Sequence, residues 1–182
     1  MPDLLKNLVV ELLVIRKATP NNVKAIVKFI DSTFTKEGYG FVTSAQINTE
    51  TKRGAVYIAA DNNNIIGVRV GIKRVYNLAV HPDYRKNGIG RKLIEIEPPE
   101  TIRVKSQPIG HLSKAQLASF KNPEGFYDSV GYEYDHNDYP RNFWQKGKDK
   151  AHFHKQGKVA HIKVYQKKGS PTQLPLEPEH FQ

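Results

Sequence analysis

The stretch VYNLAVHPDYRKNGIGRKLI, residues 75–94, constrains the fold more than any other part of the chain. An apolar run typical of a strand leads through His81-Pro82 into a turn that contains Gly88 and Gly90, and a helix pattern follows. The first amides of a helix have no intrahelical acceptor, and the helix dipole favours negative charge at this end. The pattern therefore predicts an α/β protein in which a strand-to-helix turn binds an anion.

The residue types around this turn suit a diphosphate. Glycines let the backbone approach a ligand closely, and Arg85, Lys86 and Arg91 supply positive charge. The spacing is not that of a dinucleotide-binding fingerprint, because Leu93 stands where its third glycine would be, and the Gly-Lys-Ser/Thr of a P-loop is absent. Glycines alone would equally fit a tight turn without a ligand.

Three segments in order resemble the GNAT superfamily of N-acetyltransferases. Arg85-Lys-Asn-Gly88-Ile-Gly90 matches the family signature Arg/Gln-x-x-Gly-x-Gly/Ala. LVIRKATPNNVKAIVKFI (residues 13–30) looks like the opening strand and helix, and FYDSVGYE (residues 126–133) looks like a segment near the end. The resemblance covers about residues 12–168 and implies one domain over residues 1–168. Together with the coarse pattern it predicts a mixed, mainly antiparallel sheet of six to seven strands with helices on both faces, in the order β-α-(α)-β-β-β-α-β-α-β-β.

The resemblance implies that acetyl-CoA is used and that CoA is a product. The diphosphate would lie on the turn, main-chain groups would hold the pantetheine arm, and a splay between residues 75–80 and 102–105 would form the cleft. The acetyl group would pass directly to an amine without a metal, and the absence of Cys excludes an acyl-enzyme on that residue. The residues expected to bind the cofactor are Leu78, Val80, Arg85, Lys86, Asn87, Gly88, Ile89, Gly90 and Arg91.

Direct transfer needs an acid for the leaving thiolate and a base for the amine. Tyr127 matches the tyrosine of the family's FY segment, and a phenol with a pKa of about 10 can donate a proton. The same residue type also suits a core position. No carboxylate lies within residues 75–78, where the family often has one. The candidates for the base are His81, which also suits a turn, His111, a water held by Tyr76 or Asn77, or an amine that arrives deprotonated.

The positive charge is concentrated near the C-terminus. The chain has 28 Lys and Arg against 18 Asp and Glu, and residues 141–168 hold nine of the cations but one acid, leaving a net charge of 19 − 17 = +2 elsewhere. Aromatic residues alternate with these cations, which is typical of a surface that contacts a polyanion. A solvated basic surface is the alternative. The predicted acceptor-binding residues are Arg141, Lys146, Lys148, Lys150, Lys155 and Lys158.

The expected acceptor is therefore an amine on an acidic or nucleic-acid-associated molecule, such as charged tRNA, a DNA base or a ribosomal protein. A small-molecule amine and an inactive, nucleic-acid-binding GNAT scaffold remain as alternatives. We expect a monomer or homodimer in the cytoplasm, with no membrane partner, since no apolar run approaches the roughly 18 residues needed to cross a bilayer. No metal is expected, although His152 and His154 share one face of a possible strand. Residues 169–182, rich in Pro, are predicted to form a mobile tail.

Overall fold

The computed structural model describes residue 4 and residues 13–35, 43–105, 124–138 and 162–171. Contacts divide the chain into two compact units. The first unit comprises Met1–Thr35 and Phe41–Glu100, and the second comprises Lys36–Gly40 and Thr101–Gln182. The two units are described separately, and the prediction of a single domain over residues 1–168 stays a prediction.

The strands of the first unit are β1 (Val14–Lys17), β2 (Val56–Asp61), β3 (Asn64–Val70), β4 (Arg74–Val75) and β5 (Asn77–Val80). Four of them form an antiparallel sheet in the order β1-β2-β3-β5. Its helices are α1 (Val23–Thr35), α2 (Ser44–Lys52) and α3 (Ile89–Glu95), and single 3-10 turns cover Pro20–Asn22 and Pro82–Tyr84.

Local capping residues explain where the first two helical segments begin. The Thr19 amide donates to Asn22 Oδ1 over 2.9 Å, and Pro20 occupies the first position of the turn that leads into α1. Thr43 Oγ1 accepts the Gln46 amide over 3.1 Å at the start of α2. The sequence pattern predicts a helix that opens at Thr19-Pro20 and a short helix within Thr43–Thr51, and the structure contains both.

Helices cover both faces of the first sheet because alternate side chains of β2 point in opposite directions. Val56 and Ile58 pack with Ile26, Ile30 and Ile47 of α1 and α2. Tyr57 and Ala59 pack on the other face with Ile89 and Leu93 of α3. The predicted α/β class with helices on two faces is therefore confirmed for this sheet.

The second unit contains β6 (Thr101–Lys105), α4 (Glu124–Ser129), β7 (Tyr132–Asp138) and β8 (Ile162–Lys167). Strand β8 pairs antiparallel with both β6 and β7. In the sequence, Ala160, Ile162 and Val164 alternate with His161, Lys163 and Tyr165, a pattern that predicts a half-buried strand with one basic face. Tyr165, on the expected basic face, is also buried. The reason is that its ring stacks against Tyr127 of α4, with ring centroids 4.9 Å apart.

Two details of the predicted sheet differ in the structure. The strand expected over residues 75–80 is interrupted at Tyr76, whose amide donates to the Val70 carbonyl over 3.1 Å. The strands described here form two hydrogen-bonded sheets, whereas one sheet of six to seven strands was expected. Apolar patterns locate strands along the chain, but they do not specify which strands pair.

Candidate functional site

The end of β5 presents main-chain groups away from its neighbour β3. The His81 amide donates to the Ile66 carbonyl over 2.8 Å, and Val80 lies opposite Gly67. In an antiparallel pair this bond makes Gly67 and Val80 a non-hydrogen-bonded pair, so the amides and carbonyls of Leu78 and Val80 point away from β3. This is the orientation that main-chain contacts to a pantetheine arm require.

A braced turn connects β5 to α3. His81 caps the 3-10 turn, because its Nδ1 accepts the Asp83 amide over 3.2 Å. The Arg85 Nε donates to the Val80 carbonyl over 3.1 Å. The Asn87 side-chain amide donates to the carbonyls of Tyr84 and Arg85, over 3.2 and 3.1 Å. Side chains of the predicted anion site therefore fix the shape of its own backbone.

Two residues of this turn adopt left-handed backbone conformations. Lys86 has a φ of 65° and Gly88 a φ of 80°. Successive amides in such alternating conformations form a concave site for an anion. The helical hydrogen bonds of α3 begin with the Lys92 amide and the Gly88 carbonyl, so the amides of Ile89 and Gly90 have no intrahelical acceptor. A Cβ at Gly88 would meet no atom within 4 Å, so the turn is open on this side.

The position of α3 depends on Gly67 in β3. A Cβ at this position would lie 3.0 Å from Leu93 Cδ1, 3.2 Å from Ile89 Cγ2 and 3.3 Å from Ala59 Cβ. Only glycine lets the helix pack this closely against the sheet. Gly67 therefore fixes the height of the anion turn above the strands, a role that its sequence position does not indicate.

Arg69 connects the far end of α3 to the turn after β3. Its side chain is fully buried. One guanidinium nitrogen donates to the carbonyls of Leu93 and Ile94, over 2.8 and 3.3 Å, and the others donate to Gly71 and Ile72, over 3.1 and 2.9 Å. The positive charge thus lies at the C-terminal end of the helix, where the helix dipole is negative. Sequence reasoning missed this residue.

Tyr57 lies beside Arg69 in the same buried layer. The Arg69 guanidinium is 5.5 Å from the Tyr57 ring centroid, and the Tyr57 hydroxyl donates to Glu97 over 2.5 Å. Burial raises the pKa of Tyr57, and the hydrogen bond and charge of Glu97 raise it further, whereas Arg69 lowers it. The hydrogen bond between Tyr57 and Glu97 connects β2 to the segment that follows α3.

The family comparison agrees with this strand, turn and helix. Residues 52–134, which include β2 to α3 and the start of β7, match the family model described as the acetyltransferase (GNAT) domain. Over residues 52–134 the chain is similar to GNAT acetyltransferases. No curated protein matches the sequence at a significant level.

Solved structures share the GNAT fold at low sequence identity. Ard1 from Thermoplasma volcanium is 15% identical, with a TM-score of 0.54 over 91% of this chain and 99% of that one. Naa50 from Arabidopsis thaliana, in complex with the bisubstrate analogue CoA-Ac-MVNAL, is 16% identical, with a TM-score of 0.53 over 86% and 98%. The diaminobutyrate acetyltransferase EctA from Paenibacillus lautus, in complex with its substrate and coenzyme A, is 12% identical, with a TM-score of 0.54 over 88% and 98%. These likenesses establish the fold of the GNAT domain.

The predicted catalytic residues lie in different units. His81 lies in the first unit, where its Nδ1 lone pair already accepts the Asp83 amide. The remaining ring nitrogen then carries the proton in the neutral form, so this arrangement does not favour a role as base. Tyr127 lies in the second unit on α4, buried between Phe126 and Tyr165, with ring centroids 5.2 and 4.9 Å away. Its role as the acid stays a prediction.

The predicted cofactor residues form one continuous set from β5 to α3, whereas the predicted acceptor residues lie outside the described part of the chain. The latter are Arg141, Lys146, Lys148, Lys150, Lys155 and Lys158. His111, His152 and His154 also lie outside it. No described helix is long and apolar enough to span a membrane. Across the described ranges, no group of three or more His, Asp or Glu is arranged to hold a metal.

Proposed function

We propose that this GNAT protein transfers an acetyl group from acetyl-CoA directly to an amine of an acidic or nucleic-acid-associated acceptor. The family assignment supports acetyl-CoA as the donor. The observation that carries the cofactor site is the turn at Gly88, with its positive φ, its open side and helix amides at the start of α3. Acetyl-CoA supplies the acetyl group as a thioester, and the protein supplies a cradle for its diphosphate.

The residues of the cradle have distinct roles in this proposal. The amides of Gly88, Ile89 and Gly90 would bind phosphate oxygens, and the exposed Lys86 side chain would add positive charge. Arg85 and Asn87 would act mainly as braces, because their side chains donate to carbonyls of the same turn. The outward-facing main-chain groups of Leu78 and the Val80 amide would pair with the amide groups of the pantetheine arm, because the Val80 carbonyl already accepts Arg85 Nε.

Tyr127 would donate a proton to the thiolate as the carbon–sulfur bond breaks. Replacing Tyr127 with Phe keeps the ring that stacks against Tyr165 and removes the hydroxyl. Turnover should therefore fall about 100-fold or more while acetyl-CoA binding is kept. Unchanged turnover would exclude Tyr127 as the acid. We do not expect this variant to lose nucleic-acid binding while it keeps turnover.

Calorimetric titration with acetyl-CoA tests the cofactor site. Gly88→Glu would place a negative side chain in the cradle and should abolish binding. Gly169→Glu is the matched control, because Gly169 has a φ of 85° and equally open surroundings, at the end of β8. Micromolar binding by the wild type and the control, but not by Gly88→Glu, supports the proposal. No binding by the wild type would make the motif a simple turn and favour the inactive-scaffold alternative.

Residues 141–168 contain nine Lys and Arg but one acid, and this excess of positive charge supports the proposed acceptor class. The described end of this segment is partly neutralised, because Lys168 Nζ lies 2.8 Å from Asp128 Oδ1. The acceptor contact would therefore involve the cations between residues 141 and 158.

Salt-dependent tRNA binding tests this acceptor class. The triple variant Lys148→Glu, Lys150→Glu and Lys155→Glu should bind tRNA more weakly and with a smaller slope of log affinity against log salt. The matched control replaces the exposed Lys24, Lys28 and Lys52 of α1 and α2 with Glu, so that the net charge changes by the same amount. Equal effects of both triples would leave only a general charge effect and refute a specific polyanion surface. Small amines would then be the acceptors to assay.

A further inference from the structure

One face of the second sheet carries two lysines around a pair of tyrosines. Alternate residues of a strand project from opposite faces, and residues opposite each other in neighbouring strands project from the same face. Lys163, Tyr165 and Lys167 therefore share one face of β8, and the register places Tyr134 of β7 on it, opposite Tyr165. Strand β6 adds two apolar residues to this face, Ile102 and Val104. We call the surface formed by Tyr134, Lys163 and Lys167 the lysine face.

The acids of β7 lie on the opposite face of this sheet. Glu133 and Asp138 are opposite residues of β8 that alternate with the lysines. A β-bulge in β7 makes Asp135 an extra residue, and its Oδ2 lies 2.6 Å from His136 Nδ1. The partner of His136 on β8 is Val164, which also alternates with the lysines. Among the described residues of β6, β7 and β8, the lysine face therefore has two positive charges and no negative charge.

Tyr134 is the exposed aromatic residue of the lysine face. It is 49% exposed, and β7 is the edge strand of the described sheet. Its ring is T-shaped against Tyr165, with centroids 6.2 Å apart, and Lys163 Nζ lies over the Tyr134 ring, 5.8 Å from its centroid. Tyr165 is itself buried against Tyr127 of α4. A ring held by these contacts presents an aromatic surface on which a planar group can stack.

The two lysines lie on either side of this ring. They are four residues apart on one strand, which corresponds to about 13 Å, and Tyr134 is opposite the residue midway between them. Lys167 is exposed and Lys163 is half-buried. The neighbouring Lys168 differs, because its Nζ lies 2.8 Å from Asp128 Oδ1. A cation, an aromatic ring and a second cation in a row match the phosphate and base contacts of single-stranded nucleic acid.

The strongly basic segment of the chain connects to one end of the lysine face. Asp138, the last residue of β7, is paired with Ile162, the first residue of β8, so both ends of the segment between them join the sheet beside Lys163. By sequence, residues 139–161 contain six Lys and Arg and one acid. Charge complementarity therefore favours a polyanion at this end of the sheet.

We propose that the lysine face binds single-stranded nucleic acid, with one unpaired base stacked on Tyr134 and phosphates beside Lys163 and Lys167. The bases of a duplex are already stacked and paired, so an unpaired strand offers a base at lower cost. An acidic protein would use the lysines but would not depend on the ring. This inference rests on the proposed function, since it names a surface that holds a nucleic-acid-associated acceptor, and it adds this surface to the cations predicted at residues 141–158.

Two strands with the same phosphates separate stacking from charge. Fluorescence anisotropy at low salt follows binding of a labelled thymidine strand of about ten nucleotides, a length within the site sizes of single-strand binding folds, and of an abasic strand of equal length. Tyr134→Leu keeps an apolar contact with Tyr165 but removes the ring, and Tyr134→Phe keeps the ring. Lys167→Gln tests a phosphate contact. Lys168→Gln is its matched control, because it removes the same charge where Asp128 already pairs with it.

The lysine face predicts a loss of affinity that depends on the base. Tyr134→Leu should weaken binding of the thymidine strand about 5-fold or more and of the abasic strand less than about 2-fold, whereas Tyr134→Phe should match the wild type. Lys167→Gln should weaken binding of both strands and lower the slope of log affinity against log salt by about 0.7. Lys168→Gln should change this slope less.

The contrary outcomes are distinct. Unchanged binding of the thymidine strand by Tyr134→Leu, or equal losses with both strands, would overturn the stacking site while leaving the proposed function intact. Equal effects of Lys167→Gln and Lys168→Gln would overturn the phosphate contact of Lys167. Binding of neither strand and no tRNA by the wild type would overturn the nucleic-acid-associated acceptor and this surface with it, whereas acetyl-CoA binding in calorimetry would still support the cofactor site.

Discussion

Replacing Arg69 with Met tests how the end of α3 is held. Met fills much of the same volume but donates no hydrogen bond, so the carbonyls of Leu93, Ile94, Gly71 and Ile72 lose their donor. Each buried carbonyl left without a donor costs about 1–3 kcal/mol. The two shortest bonds, to Leu93 and Ile72, alone would give about 2–6 kcal/mol, and removal of a buried charge offsets part of this. We expect a loss of about 2–4 kcal/mol in the free energy of unfolding.

Urea unfolding followed by far-ultraviolet circular dichroism measures this loss. Arg53→Met is the control, because the Arg53 side chain is 70% exposed and its ion pair with Glu50 lies at the surface, where such pairs contribute about 0–1 kcal/mol. Arg69→Lys keeps the charge but cannot reach four carbonyls, so its loss should fall between the two. A loss below about 1 kcal/mol for Arg69→Met, at an unchanged slope of the unfolding free energy against urea, would mean that water or other donors satisfy these carbonyls and would refute this role of Arg69.

Two further predictions concern single contacts. Gly67→Ala should lower the free energy of unfolding by about 1–3 kcal/mol and weaken acetyl-CoA binding in calorimetry, because the new Cβ would lie 3.0 Å from Leu93 Cδ1 of α3. Unchanged binding would show that the cradle does not depend on how closely α3 packs against the sheet. The pKa of Tyr57 is raised above its ordinary value of 10.0, so the folded state keeps the phenol proton to higher pH than the unfolded state does. The free energy of unfolding should therefore fall as the pH rises above 10.0. In Tyr57→Phe, the unfolding free energies measured with urea should depend less on pH in this alkaline range.

Local signals made the turn and its flanking elements predictable. Thr19, Pro20 and Thr43 act within three residues of their own positions, so their sequence neighbours are sufficient to predict helix starts. The same holds for Gly88, whose left-handed conformation at the start of α3 follows a pattern of residues close in sequence. These parts of the fold, including the turn at Gly88, are therefore predictable from residues close in sequence.

Long-range contacts explain what sequence patterns missed in the first unit. Arg69 follows Val68 and precedes Val70, so a strand pattern favours an exposed cation at this position. Its burial depends instead on carbonyls of Leu93 and Ile94, which are 24 and 25 residues away. Gly67 likewise has meaning only once α3 packs over it. Such residues become visible when the partner element is known.

The contact between Asp135 and His136 cannot be predicted from the sequence pattern, because the alternation rule that locates strands separates these two residues. Alternation along residues 132–138 places Asp135 and His136 on opposite faces of a regular strand, and two such side chains would not be combined into one site. One extra residue in β7 reverses this conclusion, since the bulge sets both opposite Val164. In this chain, the sheet irregularity is what brings an acid and an imidazole to 2.6 Å.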